Sequence, residues 1–210
     1  MASVPRTLFF LSLFSLAACA LAAPPDSRPR IVVFGDSLSA GFGAGPGQSF
    51  PDFLQKDLDK AGYRYRVVNQ GVSGDTTSDG VTRLAAAIAQ KPAIVILELG
   101  GNDGLRGIPI EKSKQNLDEM IRRLKAARCR ILLAGITLPP NYGPDYIKPF
   151  QQMYQDLAAQ YHLPLIPFLL ADVVYAHPEL MQHDGIHPTA KGNEIVARTV
   201  LRKLEPMLKK

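Results

Sequence analysis

The stretch Ile31-Val32-Val33-Phe34-Gly35-Asp36-Ser37-Leu38 is an apolar run that stops at a Gly-Asp-Ser turn. Four β-prone residues before a glycine read as a buried strand. Ser37 therefore lies just past the carboxyl end of that strand, where open α/β sheets place their ligand crevice. Far downstream the chain offers Asp184-Gly185-Ile186-His187. A serine, a base and an acid are the components of nucleophilic acyl transfer.

Outward from the first strand, apolar segments alternate with amphipathic ones, the pattern of a parallel sheet covered on both faces. Strands are predicted at 30–34, 64–69, 93–98, 130–136 and 164–168, and helices at 50–61, 77–91, 113–127, 146–161 and 189–208. Each connection is long enough for a crossover between parallel strands. The polar signals follow strands: Asp36-Ser37 after the first, Gly71-Val72-Ser73-Gly74-Asp75 after the second, Gly100-Gly101-Asn102-Asp103 after the third. Parallel strands end at one edge, so these distant residues are expected to converge on one crevice.

The chain has 210 residues, 46% of them hydrophobic, enough for one well-buried domain, expected over 23–210 as a monomer. The amino terminus differs in kind. Arg6 precedes the apolar stretch Leu8 to Ala18, too short to span a bilayer as a mature helix, which reads as a secretory signal over residues 1–22. Cleavage after Ala22 follows the small-residue site Ala20-Leu21-Ala22, whereas Leu16-Ala17-Ala18-Cys19 has the form of a lipoprotein box that would leave an acylated Cys19 as a membrane tether. A periplasmic or secreted protein is expected, with a membrane-anchored lipoprotein as the alternative. No other segment is predicted to span a membrane. With Cys19 gone or acylated, Cys129 is left without a disulfide partner and reads as a small buried apolar residue.

The formal net charge of +5 is spread among acids, which describes a solvated surface. Arg122, Arg123, Lys125, Arg128 and Arg130 cluster, but no aromatic residues interleave with them for base stacking, so no nucleic-acid partner is expected. His183 stands four residues before His187, yet no further histidine or cysteine is close enough in sequence to complete a metal site. Neither a metal nor another cofactor is expected.

A three-residue spacing brings the side chains of Asp184 and His187 to the same side of a loop or helical turn. The carboxylate can then fix the imidazole tautomer so that Nε2 faces Ser37. Gly74 has no Cβ to keep a substrate oxygen from its N–H, and Asn102 carries an amide on the neighbouring loop. With the Ser37 N–H, these make three donors for an oxyanion. Each signal also has a structural reading: an Asp36 turn, an asparagine cap, an Asp-His cap on the last helix. Their joint occurrence in order after the strands favours catalysis. Asp36 and Asp103 are surplus to the triad and are expected to hold turn and loop groups.

Gly35-Asp36-Ser37-Leu38, Gly74, Gly101-Asn102-Asp103 and Asp184-Gly185-Ile186-His187-Pro188 resemble the four blocks of the GDSL or SGNH hydrolases. Leu97 to Gly107 and Leu138 to Gly143 resemble the periplasmic bacterial subgroup of acyl-thioesterases, arylesterases and lysophospholipases. The resemblance implies a flavodoxin-like three-layer α/β/α sandwich on a five-stranded parallel sheet. It implies Ser37 as nucleophile, His187 as base, Asp184 as orienting acid, and Ser37, Gly74 and Asn102 as oxyanion donors. It also implies that the loop from Gly104 to Pro109 moves over a bound acyl chain.

Substrate contacts are expected from Gly104, Leu105, Arg106, Gly107 and Ile108, and from Leu138 and Tyr142 across the groove. Ester and thioester substrates of acyl chains fit these apolar residues. A carbohydrate acetylesterase would use the same triad but prefer aromatic platforms, and the chain has no tryptophan. A non-catalytic lipid-binding module would need no triad.

Overall fold

The computed structural model describes residue 1 and residues 26–210. The leader with its two cleavage options, Cys19 included, lies outside the described residues.

Five strands form one parallel sheet: β1 (Arg30–Gly35), β2 (Arg66–Gly71), β3 (Ile94–Glu98), β4 (Arg130–Ala134) and β5 (Leu165–Ile166), in the order β2-β1-β3-β4-β5. Ile31 to Phe34 of β1 and Ile94 to Leu97 of β3 are wholly buried. Continuous apolar runs of this kind are what a sheet covered on both faces requires.

Among the described residues eight α-helices accompany the strands: α1 (Ser37–Ala40), α2 (Phe50–Lys60), α3 (Thr77–Ala89), α4 (Gly101–Leu105), α5 (Ile110–Ala126), α6 (Pro144–Tyr161), α7 (Ala171–Val174) and α8 (Ala190–Leu204). Helix α2 packs against α8, while α5 packs between α3 and α6, which gives the three layers. Ser49 and Thr76 start α2 and α3 with reciprocal capping boxes to Asp52 and Asp79. Thr189 caps α8, accepting from the Gly192 amide, and so fixes where the Asp184–His187 loop must end.

The strand order reverses direction between β1 and β3, since the chain leaves β1 for one side of the sheet and β3 for the other. Ligands bind outside the carboxyl ends of the strands at such a switch point. Ser37 follows β1 and Asn102 follows β3, so the topology alone brings them to the same crevice.

Three boundaries depart from the sequence reading for reasons that bear on the site. Strand β2 runs from 66 to 71 rather than 64 to 69, because its register is set by pairing Arg30 with Arg66 through to Gly35 with Gly71. Strand β4 ends at Ala134 rather than 136: the Gly135 amide bonds the Ile166 carbonyl, after which the chain peels away to line a cavity. Helix α5 begins at Ile110 rather than 113, because the Pro109 carbonyl already accepts from Lys112 and Ser113. The short helices α1, α4 and α7 have no separate signal in the sequence pattern.

Candidate active site

At the head of the sheet, the Asp36 carboxylate caps α1 by accepting from the Leu38 amide at 3.0 Å. This tight turn presents Ser37 to the crevice. Its hydroxyl donates to Nε2 of His187 at 2.8 Å, and Nδ1 of His187 donates to Asp184 at 2.6 Å. The second Asp184 oxygen accepts from the amides of Ile186 and His187 at 2.9 and 3.0 Å. Burial works to raise the Asp184 carboxyl, but its bonds to the His187 ring and to the His187 and Ile186 amides outweigh that and hold it below the ordinary carboxylate range. The residue is thereby kept as the carboxylate that an imidazolium partner needs.

The loop carrying Asp184 and His187 is closed at its base by a bridge between Met181 and Pro188. Gln182 ties it to the turn after α1, donating to the Phe42 and Pro188 carbonyls at 2.7 and 2.9 Å. Phe42, half exposed, lies against the His187 ring with centroids 4.7 Å apart. Gly43 leaves room for Gln182, since a Cβ there would stand 2.1 Å from its Oε1.

The backbone N–H groups of Ser37 and Gly74 donate to no acceptor among the described residues. Gly74 reaches this position with φ of +88°, which an L side chain would strain. The Asn102 amide lies beside them, donating to the Asp75 carbonyl at 2.9 Å and to Asp36 Oδ2 at the longer distance of 3.3 Å. Arg83 holds this edge: it pairs with Asp75, donates to the carbonyls of Gln70 and Gly35, and stacks its guanidinium over the Phe34 ring at 4.0 Å. Asp103 faces away, accepting from the Thr77 amide and hydroxyl and from Ser113.

The chain has sequence relatives among ester hydrolases. Residues 33–195 match the GDSL-like Lipase/Acylhydrolase family. The chain belongs to that family. The esterase TesA of Pseudomonas aeruginosa is 43% identical over 199 residues, 94% of this chain and 98% of the relative. The thioesterase 1/protease 1/lysophospholipase L1 of Escherichia coli K12 is 39% identical over 179 residues, 85% and 84% of the two chains. A crystal structure of TesA superposes with a TM-score of 0.81 at 45% identity, covering 85% of this chain and 99% of that one. The protein is a hydrolase of the SGNH type, with the α/β fold of that family.

The site opens into a cavity. It measures about 420 Å³ and is lined by Ser37, Asn102 and His187 at one end. Leu105, Leu138, Ile147, Phe168, Leu170, Val174, Tyr175 and Ile186 form its apolar walls, with Thr137 and Gln151 as a hydrogen-bonded polar pair. The volume falls in the roughly 300–1,000 Å³ range of small-molecule sites.

Of the expected substrate contacts, Leu105 and Leu138 line this cavity, and five others lie off it. Gly104 is buried inside α4, where a Cβ would come within 2.6 Å of Leu138. Arg106 turns to the other loop and donates to the Gly74 carbonyl at 2.9 Å. Gly107 takes the left-handed conformation that closes α4, and the Ile108 amide completes that end by bonding the Asp103 carbonyl. Tyr142 points its hydroxyl at the Leu105 carbonyl, 2.9 Å away, and Tyr146 bonds the carbonyls of Gly104 and Ile108. Carbonyls exposed at the end of a short helix need donors, and these tyrosines supply them.

Sequence reasoning passed over Arg83, Phe42, Gln182 and Glu98. Only Glu98 carried a visible signal, a lone carboxylate inside the apolar run Ile94 to Leu99. The basic cluster of α5 is partly neutralised, Arg122 by Asp118 and Arg123 by Glu119, one turn away in each case. Cys129 is buried, and burial pushes its thiol up. Among the described residues no helix is long and apolar enough to cross a membrane, and no three His, Cys, Asp or Glu side chains are grouped to hold a metal ion.

Proposed function

We propose that the protein cleaves acyl esters and thioesters through Ser37, His187 and Asp184, with the Ser37 and Gly74 amides and the Asn102 side chain as oxyanion donors. The relay from the Ser37 hydroxyl through His187 to Asp184, standing at the mouth of an apolar cavity, carries this reading. As Ser37 Oγ attacks the carbonyl carbon, its proton passes to Nε2 of His187. Asp184 stabilises the resulting imidazolium. Negative charge moves to the carbonyl oxygen, where the two unengaged amides await it and Asn102 can shift its longer bond from Asp36.

Collapse of the tetrahedral intermediate expels the alcohol or thiol, protonated by His187, and leaves an acyl-serine. Water activated by the same histidine then releases the fatty acid and restores Ser37. The apolar walls favour an alkyl chain over a sugar, whose hydroxyls would be desolvated there with few partners. This supports lysophospholipids, aryl esters and acyl thioesters as substrate classes over carbohydrate acetates. We place export on residues 1–22, with acylation of Cys19 as the alternative that mass spectrometry of the mature amino terminus distinguishes.

The test is hydrolysis of a nitrophenyl-ester series from acetyl to palmitoyl, with an acyl-CoA in parallel, by the purified protein and Ser37→Ala. Serine-dependent turnover that persists with long chains and thioesters is expected. Equal rates in protein and variant would remove Ser37 as nucleophile, and activity confined to acetyl groups would favour the carbohydrate reading.

A further inference from the structure

Glu98 ends β3 beside Gly35 of β1 and has no exposed surface. Its Oε2 accepts from the Ser39 hydroxyl at 2.5 Å and from the Asp36 amide at 3.3 Å. Its Oε1 is buried and has no hydrogen-bond partner among the described residues. The fold has made room for this group: a Cβ on Gly35 would stand 2.2 Å from Ser39 Oγ and 2.3 Å from Glu98 Oε2. A side chain so accommodated, directly beneath the nucleophile turn, calls for an account of its orphan oxygen.

Among the described residues no Lys, Arg or His side chain bonds Glu98; Arg83, which donates to the Gly35 carbonyl, is paired with Asp75. The Asp36 carboxyl lies within hydrogen-bonding reach, and it is itself buried. The Tyr154 phenol comes from α6 but gives its hydrogen to the Leu99 carbonyl. Asp75 adds negative charge near Asp36 and Asp103 adds it near Tyr154, while the His187 ring is held between Ser37 and Asp184. Two buried carboxylates in contact cannot both ionise cheaply.

We propose that Glu98 is a neutral carboxylic acid that positions the catalytic turn. Its proton is donated to Asp36, while its other oxygen holds the Asp36 amide and Ser39. Asp36 in turn holds the Leu38 amide with one oxygen and reaches the Asn102 amide with the other. One protonated side chain thus sets both the Ser37 turn and the side-chain oxyanion donor without adding a negative charge where an oxyanion must form. Burial and the Asp36 charge both push the Glu98 carboxyl well above its ordinary value, in keeping with that state. Burial likewise pushes Asp36 up to about 6, so Asp36 is the member that ionises as neutrality is approached.

The inference rests on the reading of Ser37 as nucleophile for its catalytic half only. The charge-state half is tested by urea unfolding of the protein and Glu98→Gln from pH 6 to 8. Glutamine keeps an acceptor for Ser39 and a donor for Asp36, but cannot ionise. Unfolding a neutral Glu98 releases a proton to water, so the unfolding constant of the protein should rise about tenfold per pH unit relative to Glu98→Gln, or about 1.4 kcal/mol. A difference that stays flat over this range means an unchanged charge on unfolding and overturns the proposal.

The positioning half is tested by kinetics on a nitrophenyl butyrate. Glu98→Ala should lose at least tenfold in kcat with KM changed less than twofold, and Glu98→Gln should recover most of that loss. A glutamine variant as impaired as the alanine one, or an alanine variant with full kcat, overturns it. Should the alanine variant fail to fold, Glu98→Gln against the unsubstituted protein still decides: a kcat loss of tenfold or more rejects the neutral acid. Loss of the Ser37 reading would show separately, as undiminished turnover by Ser37→Ala.

Discussion

Replacing Asn102 by alanine should separate catalysis from folding. The Asn102 amide makes two bonds to the protein, 2.9 Å to the Asp75 carbonyl and 3.3 Å to Asp36. Both are half buried, and a net contribution of about 0.5–1.5 kcal/mol per bond sets the folding cost at roughly 1–3 kcal/mol. In turnover the same amide is asked to stabilise an oxyanion, where removal of one donor typically costs about 2.7–4 kcal/mol, or roughly 10²–10³ in kcat. Ground-state binding gains little from this donor, so KM should change by no more than a few-fold.

The assay is steady-state hydrolysis of nitrophenyl butyrate beside urea unfolding, both at 25 °C and pH 7.5. Asn102→Ala should remain folded there and lose kcat by two orders of magnitude or more. A kcat loss below about threefold would show that the Ser37 and Gly74 amides suffice, refuting the three-donor arrangement. A loss carried mainly by KM would instead make Asn102 a substrate-binding group.

Asp184→Asn should lower kcat by about 10³–10⁴ through a misdirected imidazole tautomer, read on the same ester. Because the folded Asp184 carboxyl is held low, its stabilising effect is fully present above the unfolded value of about 4 and is lost as pH falls through the lower folded one. The stability difference between the protein and this variant in urea unfolding should be present at pH 5 and shrink in stronger acid. Ile147→Trp, placed on the cavity wall, should cut kcat/KM for decanoyl esters more than tenfold and for acetyl esters only a few-fold; equal losses would mean the acyl chain lies elsewhere. Gly35→Ala sets a methyl 2.2 Å from Ser39 Oγ, 2.3 Å from Glu98 Oε2 and 2.7 Å from the Glu98 carbonyl, so thermal unfolding should show a large loss of stability and kcat should fall with it.

Much of this protein is written in local pattern. The apolar run at Ile31 to Phe34 specifies a strand covered on both faces, and Gly-Asp-Ser at its end specifies a tight turn, because burial and backbone sterics act over a few residues. Ser37, Asp184 and His187 could be named from such signals, and the alternation of segments was enough for the three-layer architecture. Partnership across the sheet has no local signature. The register that moves β2 to 66–71, the departure of β4 at Gly135 to open the cavity, and the turning of Arg106 and Tyr142 away from it are set by which backbone groups find acceptors once the strands are side by side. Glu98 is the sharpest case: in the sequence it is one polar residue in an apolar strand, and only when Gly35 and Asp36 are brought against it does the chain enclose one carboxyl beside another, and so bear on its charge.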